Sequence, residues 1–316
     1  PVEGHLRKQG EGRQVDLRIS SVPSLPGVDR VARLFERSVS LLGLEQLGMR
    51  AEQLTGLSDA LERPSGLILV SGPTGSGKTT SLYAMLRQLA GGTRKVMTIE
   101  DPVEYDLGGV NQTQVNARIG VRFATMLTAI LRQDPDVIMV GEIRDRDTAD
   151  TAVRAANAGN LVLATTHATR ASRSIETMLS LGVNPYFLAA ALRVVVAQLL
   201  VKRLCSKCRE LLPETADMVI EPELRKRLAA GKDGQLAIGA GCEACFGTGY
   251  RGRLGVFELM TPCDDMRRLV AQGRSAMDLD EHCREDGVLT LEQSAKLAAL
   301  EGETTLEEIL RVLPTM

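Results

Sequence analysis

The sequence predicts an α/β fold, a sheet covered by helices on both faces, from three observations. Apolar runs at 67–70, 96–99, 137–140 and 161–164 are each the length of a strand. Stretches of helical character lie between them. The runs do not alternate apolar with polar residues, so these strands are buried on both sides, as in a sheet wrapped by helices.

The opening of the chain reads differently. Val15, Leu17 and Ile19, with Val22 less regularly, fall at period two, a strand pattern broken by Pro23, Pro26 and Gly27. A second strand is expected at 31–35, and the whole opening reads as the end of a small domain. The N-terminus has neither a starting Met nor a signal-peptide core, and reads as a piece of something longer. Residues 57–62 are expected to be helical and are closed by Pro64. Beyond Gly182 the pattern turns helical through Val201. A cysteine-bearing segment occupies 205–250, a last strand is expected at 254–260, and helices follow to the end. Asp278, Thr290 and Thr304 are the expected N-caps of that tail. There is no internal repeat and no low-complexity tract.

Composition narrows the class. The 316 residues are 44% hydrophobic and 25% charged, a globular balance. Aromatics make up 3% with no Trp, so the core must be built from Leu, Val, Ile, Ala and Met. A net charge of -2 argues against a surface that coats nucleic acid. No apolar run approaches the ~18 residues that span a bilayer.

Gly72-Pro73-Thr74-Gly75-Ser76-Gly77-Lys78-Thr79 matches G-x-x-x-x-G-K-[ST], with a strand before it and a helix opening at Thr80 after it. The glycines let the backbone curl so that successive N–H groups face phosphates, and the helix N-terminus adds its field. Lys78 then reaches the β- and γ-phosphates of ATP, and the Thr79 hydroxyl holds Mg²⁺. The chain is therefore expected to be a P-loop nucleotide-binding protein.

Such a loop needs acidic groups from neighbouring strand ends, because that edge of a parallel sheet carries the site. Glu100 follows the run at 96–99, and Glu142 follows the run at 137–140. One isolated glutamate reads as a solvated loop carboxylate, whereas two at matching strand ends read as functional. Glu100 is expected to orient or deprotonate water, and Glu142 to sit in the magnesium shell. His167 ends the fourth run, either donating to the γ-phosphate or satisfied within the core.

Cys205-x-x-Cys208 and Cys242-x-x-Cys245 can each fold a tight knuckle, and together they supply four thiolates for a closed, structural Zn²⁺ site. A helix at 223–230 is expected to fill the spacer. Cys263 and Cys283 lack partner spacing and read as ordinary core residues. Lys202, Arg203, Lys207 and Arg209 form a basic patch around the first pair, either merely solvated or facing an acidic membrane or membrane protein.

In its phosphate loop, its Ile-Glu-Asp-Pro-Val-Glu-Tyr segment at 99–105, its Leu-Arg-Gln-Asp-Pro-Asp-Val-Ile-Met-Val-Gly-Glu-Ile-Arg-Asp segment at 131–145 and its histidine at 167, the chain resembles the GspE/PilB secretion-ATPase family. The resemblance implies a RecA-like core, homo-hexameric rings and an N-terminal domain packed over the nucleotide. By that likeness residues 1–50 are the last part of a partial N-terminal α+β (PAS-like) domain plus linker, and 51–204 the ATPase core. Residues 205–250 are then a four-cysteine zinc subdomain and 251–316 a mainly helical C-terminal region. It gives Lys78 and Thr79 the loop's roles, with Thr80 counted among the nucleotide-binding residues, and assigns Glu100 to catalysis and Glu142 to the position of the usual Walker B aspartate. His167 joins a histidine box, and Arg18 and Arg33 reach toward the γ-phosphate, a task suited to a planar fork that always carries charge.

The resemblance further implies a motor coupling ATP hydrolysis to pilin or pseudopilin assembly or to protein export. Such a motor lies at the cytoplasmic face of the inner membrane, attached peripherally to platform or docking proteins, with no direct nucleic-acid partner. The metal subdomain is a mark of the assembly branches rather than of pilus retraction. The chain also departs from the family. Thr125 and Thr128 stand where arginines are common, Asn160 where a histidine is, and Ala168-Thr169-Arg170-Ala171 where Thr-Asn-Asp-Ala is usual. Lost charge near a phosphoryl group slows transfer. An ATP-binding assembly scaffold with weak or no hydrolysis is thus the alternative reading, and a nucleic-acid motor is disfavoured by the charge and the lack of stacking aromatics.

Overall fold

The computed structural model describes residues 2–10, 13–25, 27–36, 42–212, 224, 226–228 and 234–313. It divides into two units, 1–43 and 44–316. In the first, β1 (Val2–Gly10), β2 (Arg13–Ser24) and β3 (Gly27–Glu36) pair antiparallel in a three-stranded sheet. The strands expected at 15–22 and 31–35 lie within β2 and β3. Arg18 and Arg33 are direct cross-strand partners. Their side chains lie outside the described residues.

The second unit opens with α1 (Ala51–Glu62), held from the side by Gln53, whose amide donates to Phe257 O at 2.8 Å. The four apolar runs become β4 (Gly66–Ser71), β5 (Val96–Glu100), β7 (Val137–Val140) and β8 (Leu161–Thr166). Between them lie α2 (Lys78–Ala90), β6 (Asn111–Gln114), α3 (Phe123–Ile130) and α4 (Arg146–Ala158). After β8 come α5 (Ala171–Ser180), α6 (Pro185–Ala191) and β9 (Leu192–Leu204), then the short β10 (Arg209–Leu211) and β11 (Ala237–Gly239), and finally β12 (Tyr250–Met260). The seven-stranded sheet runs β12-β9-β4-β8-β7-β5-β6, parallel throughout except for the antiparallel β12–β9 pair. Leu67, Ile68, Leu69 and Val70 of β4 are fully buried, as the unbroken apolar run required.

The helical stretch expected through Val201 is overturned. The helix predicted beyond Gly182 ends at Ala191, and Leu192–Leu204 is instead a 13-residue strand between β4 and β12. Its stretch Val194-Val195-Val196-Ala197 is buried on both faces. Continuous apolar runs carry no period, and three consecutive β-branched residues favour the extended backbone.

The tail forms α7 (Asp264–Ala271), α8 (Ala276–Glu285), α9 (Leu291–Leu300) and α10 (Leu306–Val312). Thr290 caps α9 as expected. Asp278 instead sits one turn inside α8, where its carboxylate accepts the Ser275 N–H while the Ser275 hydroxyl accepts the Asp278 N–H. Thr305 rather than Thr304 caps α10, and Thr304 donates to Lys202 O at 2.9 Å. Buried Glu258 on β12 ties core to tail: it accepts Ala171 N at the start of α5 at 2.7 Å and Leu291 N at the start of α9 at 3.2 Å. The helix expected at 223–230 lies largely outside the described residues. No described helix is long and apolar enough to cross a membrane.

Candidate functional site

The loop 72–79 joins β4 to α2 at the edge where the parallel strands end. Gly72 holds φ +146°, and a Cβ there would lie 2.4 Å from Gln198 O and 2.5 Å from Ser76 Oγ, so only glycine closes this curl. Gln198, buried on β9, donates to Ser76 O at 2.7 Å and props the loop from beneath. Pro73, Thr74, Gly75 and Thr79 are exposed, Gly77 and Thr80 half-buried, and Ser76 buried. The Lys78 ammonium donates to Gly72 O and to Pro73 O, the latter at 3.1 Å. Burial pulls its pKa down, and the charge of Glu142 works the other way.

Around the loop the ends of β5, β7 and β8 are laced together. Gly141 N donates to Ile99 O at 2.7 Å, and Ile143 N to Thr165 O at 2.9 Å. Glu142 lies just past β7 with its side chain 14% exposed. It forms ion pairs with Arg144 and with His167 Nε2, both of which reach solvent. Burial pushes its carboxyl up, but Arg144 and His167 outweigh this and hold it below the usual carboxylate range. Lys78, Glu142, Arg144 and His167 therefore form one polar group beside the glycine-rich loop.

Glu100 is held apart from that group. It is 3% exposed, and its carboxylate accepts from the Tyr83 hydroxyl, from Thr98 Oγ1 at 2.6 Å and from Gln112 Nε2 at 3.0 Å. Tyr83 projects from α2, its ring edge-on to Tyr105 at 4.5 Å. Burial, followed by the bond to Glu100, raises the Tyr83 pKa.

Arg144 and Gln198, and Tyr83 beside Glu100, escaped the sequence reading. Arg144 lies in the Gly-Glu-Ile-Arg-Asp segment, where its pairing with a carboxylate two positions earlier is the available signal. Gln198 carries none, because it meets Ser76 across 122 residues. The departures sort by position. Asn160 precedes β8 at the opposite sheet edge, about 23 Å of extended chain from His167, and donates to Pro135 O at 2.6 Å. Thr125 and Thr128 sit exposed on α3, with hydroxyls bonded to their own helix and the turn before it.

The second cluster is the four cysteines. The β10–β11 pair brings the two knuckles together, and Gly239 approaches Gly249 so closely that a Cβ would lie 2.3 Å from its carbonyl. Sulfur separations are 3.9 Å for Cys205–Cys242, 3.7 Å for Cys208–Cys245 and 3.8 Å for Cys242–Cys245. Zn–S bonds of about 2.3 Å in a tetrahedron put sulfurs about 3.8 Å apart, so the donor set fits zinc. Cys242 N donates to Cys245 Sγ at 3.1 Å and draws that thiol below its ordinary range. Of the basic patch, Arg203 pairs with Glu303 at 2.8 Å, Lys202 with Glu308 at 3.8 Å, and Arg209 donates to Gly302 O at 3.1 Å. These side chains fasten the tail to β9 and β10. Cys263 is exposed rather than in the core, while Cys283 is buried, and burial pushes its thiol up to about 12.

The architecture is a mixed α/β core with a central, mostly parallel sheet, a glycine-rich loop at 72–79 and a cluster of four close cysteines. The chain belongs to the Type II/IV secretion system protein family, whose model matches residues 1–311. It is 45% identical, over 99% of its length, to Type II secretion system protein HxcR of Pseudomonas aeruginosa, and spans 62% of that protein. It is 40% identical, over 98% of its length, to Type IV pilus assembly ATPase PilB of Thermus thermophilus, spanning 35% of it. Among solved structures it is similar to the pilus retraction motor PilT with bound ADP, at TM-score 0.69 and 25% identity, covering 99% of this chain and 77% of that one. The fold is shared with the Legionella pneumophila ATPase DotB, at TM-score 0.68 and 17% identity, covering 98% and 76%. The chain thus spans less than two thirds of the curated relatives' length.

Proposed function

We propose that this chain is the ATP-hydrolysing part of a ring-forming motor that drives a type II secretion or type IV pilus assembly machine. The observation that carries the reading is the convergence of Lys78, Glu142, Arg144 and His167 beside the phosphate loop. Residues 72–80 bind the triphosphate, with Lys78 turning from the loop carbonyls to the phosphate oxygens. Ser76 Oγ and Gln198 Oε1 are buried without a hydrogen-bond partner among the described residues, which suits a loop whose polar groups complete their bonding with a ligand. Thr79 and Glu142 hold Mg²⁺, which supplies charge neutralisation at the phosphates. His167 and Arg144, each held by the Glu142 carboxylate until nucleotide arrives, would turn to the γ-phosphate. Glu100 serves as the water-orienting base once Tyr83 rotates away. Arg18 and Arg33 are assigned to the γ-phosphate by family likeness alone.

The four cysteines hold a structural Zn²⁺. The whole protein works as a homo-hexamer at the cytoplasmic face of the inner membrane, on a membrane platform or docking protein. A second reading, an ATP-binding scaffold with little turnover, is favoured by the enclosure of Glu100 and by Thr125 and Thr128. Mg²⁺-dependent ATP hydrolysis measured against protein concentration separates the two. A rate per chain that climbs with concentration and disappears in Lys78→Ala supports the motor; a flat baseline with demonstrable ATP binding supports the scaffold.

A further inference from the structure

Apart from these two sites, one cluster of ligand-bearing side chains stands out in the C-terminal helices. Cys263 caps the N-terminus of α7, His282 lies in the last turn of α8, and Asp286 follows as its C-cap. Cys263 Sγ lies 3.2 Å from His282 Nε2 and 3.7 Å from Asp286 Oδ2, and His282 Nε2 lies 3.4 Å from Asp286 Oδ2. A tetrahedral zinc ion, with a sulfur bond of about 2.3 Å and nitrogen and oxygen bonds of about 2.0–2.1 Å, spaces such donors about 3.3–3.6 Å apart. All three separations sit within a few tenths of an ångström of that range. A plain thiol–imidazole hydrogen bond accounts for the first distance alone, not for a carboxylate placed against both partners.

We propose that Cys263, His282 and Asp286 form a second zinc site, with a fourth position open to water. The surroundings fit this use. His282 and Asp286 are four residues apart and share a helix face. The Met266 N–H is directed at Cys263 Sγ from 3.4 Å, and the N-terminal end of α7 favours the negative charge of a metal-bound sulfur. Glu285 Oε2 lies 3.8 Å from the other ring nitrogen of His282, on the side where metal-bound histidines usually face a carboxylate. A thiolate with an imidazole selects zinc over magnesium or calcium, which prefer all-oxygen shells.

Cys263 is exposed and Asp286 half-exposed, so the ion exchanges with solvent. The site is weaker than the enclosed four-thiolate cluster. On binding, the Cys263 thiol gives its proton to solvent and no redox change occurs. The ion clips the start of α7 to the end of α8, so its occupancy sets how firmly that helical pair holds together.

The test is zinc stoichiometry on the reduced full chain, with Co²⁺ substitution to report the ligand set. Wild type is expected to hold one equivalent more than either Cys263→Ser or His282→Ala. The extra cobalt species should show the weaker charge-transfer absorption of a single thiolate and vanish in both variants while the four-thiolate spectrum remains. Equal stoichiometry in wild type and variants overturns the proposal. So does a variant that loses the four-thiolate spectrum in place of the second species.

Discussion

Replacing Gln198 with alanine removes the donor that β9 sends to the phosphate loop. Its amide nitrogen reaches Ser76 O at 2.7 Å, and the residue is 1% exposed, so water does not take its place. A buried hydrogen bond of this kind is worth about 0.5–1.5 kcal/mol net. If that energy holds the loop in the curl that presents its N–H groups, nucleotide affinity falls by about two- to twelvefold. Gln198→Glu keeps the volume but turns a carboxylate toward a carbonyl oxygen and sets negative charge beside the bound phosphates, so its loss is larger. The assay is the dissociation constant of a fluorescent ADP analogue by anisotropy, with thermal melts showing that both variants fold. Wild-type affinity in Gln198→Ala, or tighter binding in Gln198→Glu, refutes the idea that β9 sets the loop's shape.

Two further outcomes follow from buried carboxylates. Tyr83→Phe strips a donor from the enclosed Glu100 and should destabilise the core by about 1–3 kcal/mol, read as a lower urea midpoint with unchanged slope. An unchanged midpoint shows that Tyr83 does not hold Glu100. Glu308 accepts from Arg311 at 2.6 and 2.7 Å and from Lys202 N at 2.9 Å; Arg311 first, against burial, holds its carboxyl below the ordinary 4.5. A depressed carboxyl stabilises the fold above its unfolded value and loses that contribution as pH falls through the folded one. Protection of the α10 amides, taken relative to their intrinsic exchange rates at each pH, should therefore fall below pH 4.5, and Glu308→Gln should flatten that dependence; an equally steep profile in the variant contradicts the assignment.

What the sequence disclosed depended on how locally each feature is encoded. The phosphate loop is eight consecutive residues, and each acidic candidate ends an apolar run, so strand order was not needed to place them near one edge. Each cysteine pair is a local knuckle, and only their meeting required the fold. The strand Leu192–Leu204 was hidden because a doubly buried run has no period. Gln198 and Glu258 were hidden because polar residues inside apolar strands gain meaning only from what lies across the sheet: Ser76 for one, the starts of α5 and α9 for the other. The same holds for Cys263, His282 and Asp286, whose spacing in sequence matches no metal motif. Asn160 shows the reverse error, a departure that weighs on the motif but sits at the far end of β8.

In the proposed mechanism Glu142 organises the hydrolytic site, taking His167 and Arg144 on its carboxylate beside Lys78. Single-turnover ATP hydrolysis by Glu142→Gln, run beside nucleotide binding, tests it most directly. ATP should still bind, because residues 72–80 are intact, while hydrolysis falls by about a hundredfold or more, as when a preorganised charged group is lost from a phosphoryl-transfer site. Hydrolysis at the wild-type rate in Glu142→Gln would show that the Glu142 carboxylate does not organise the site.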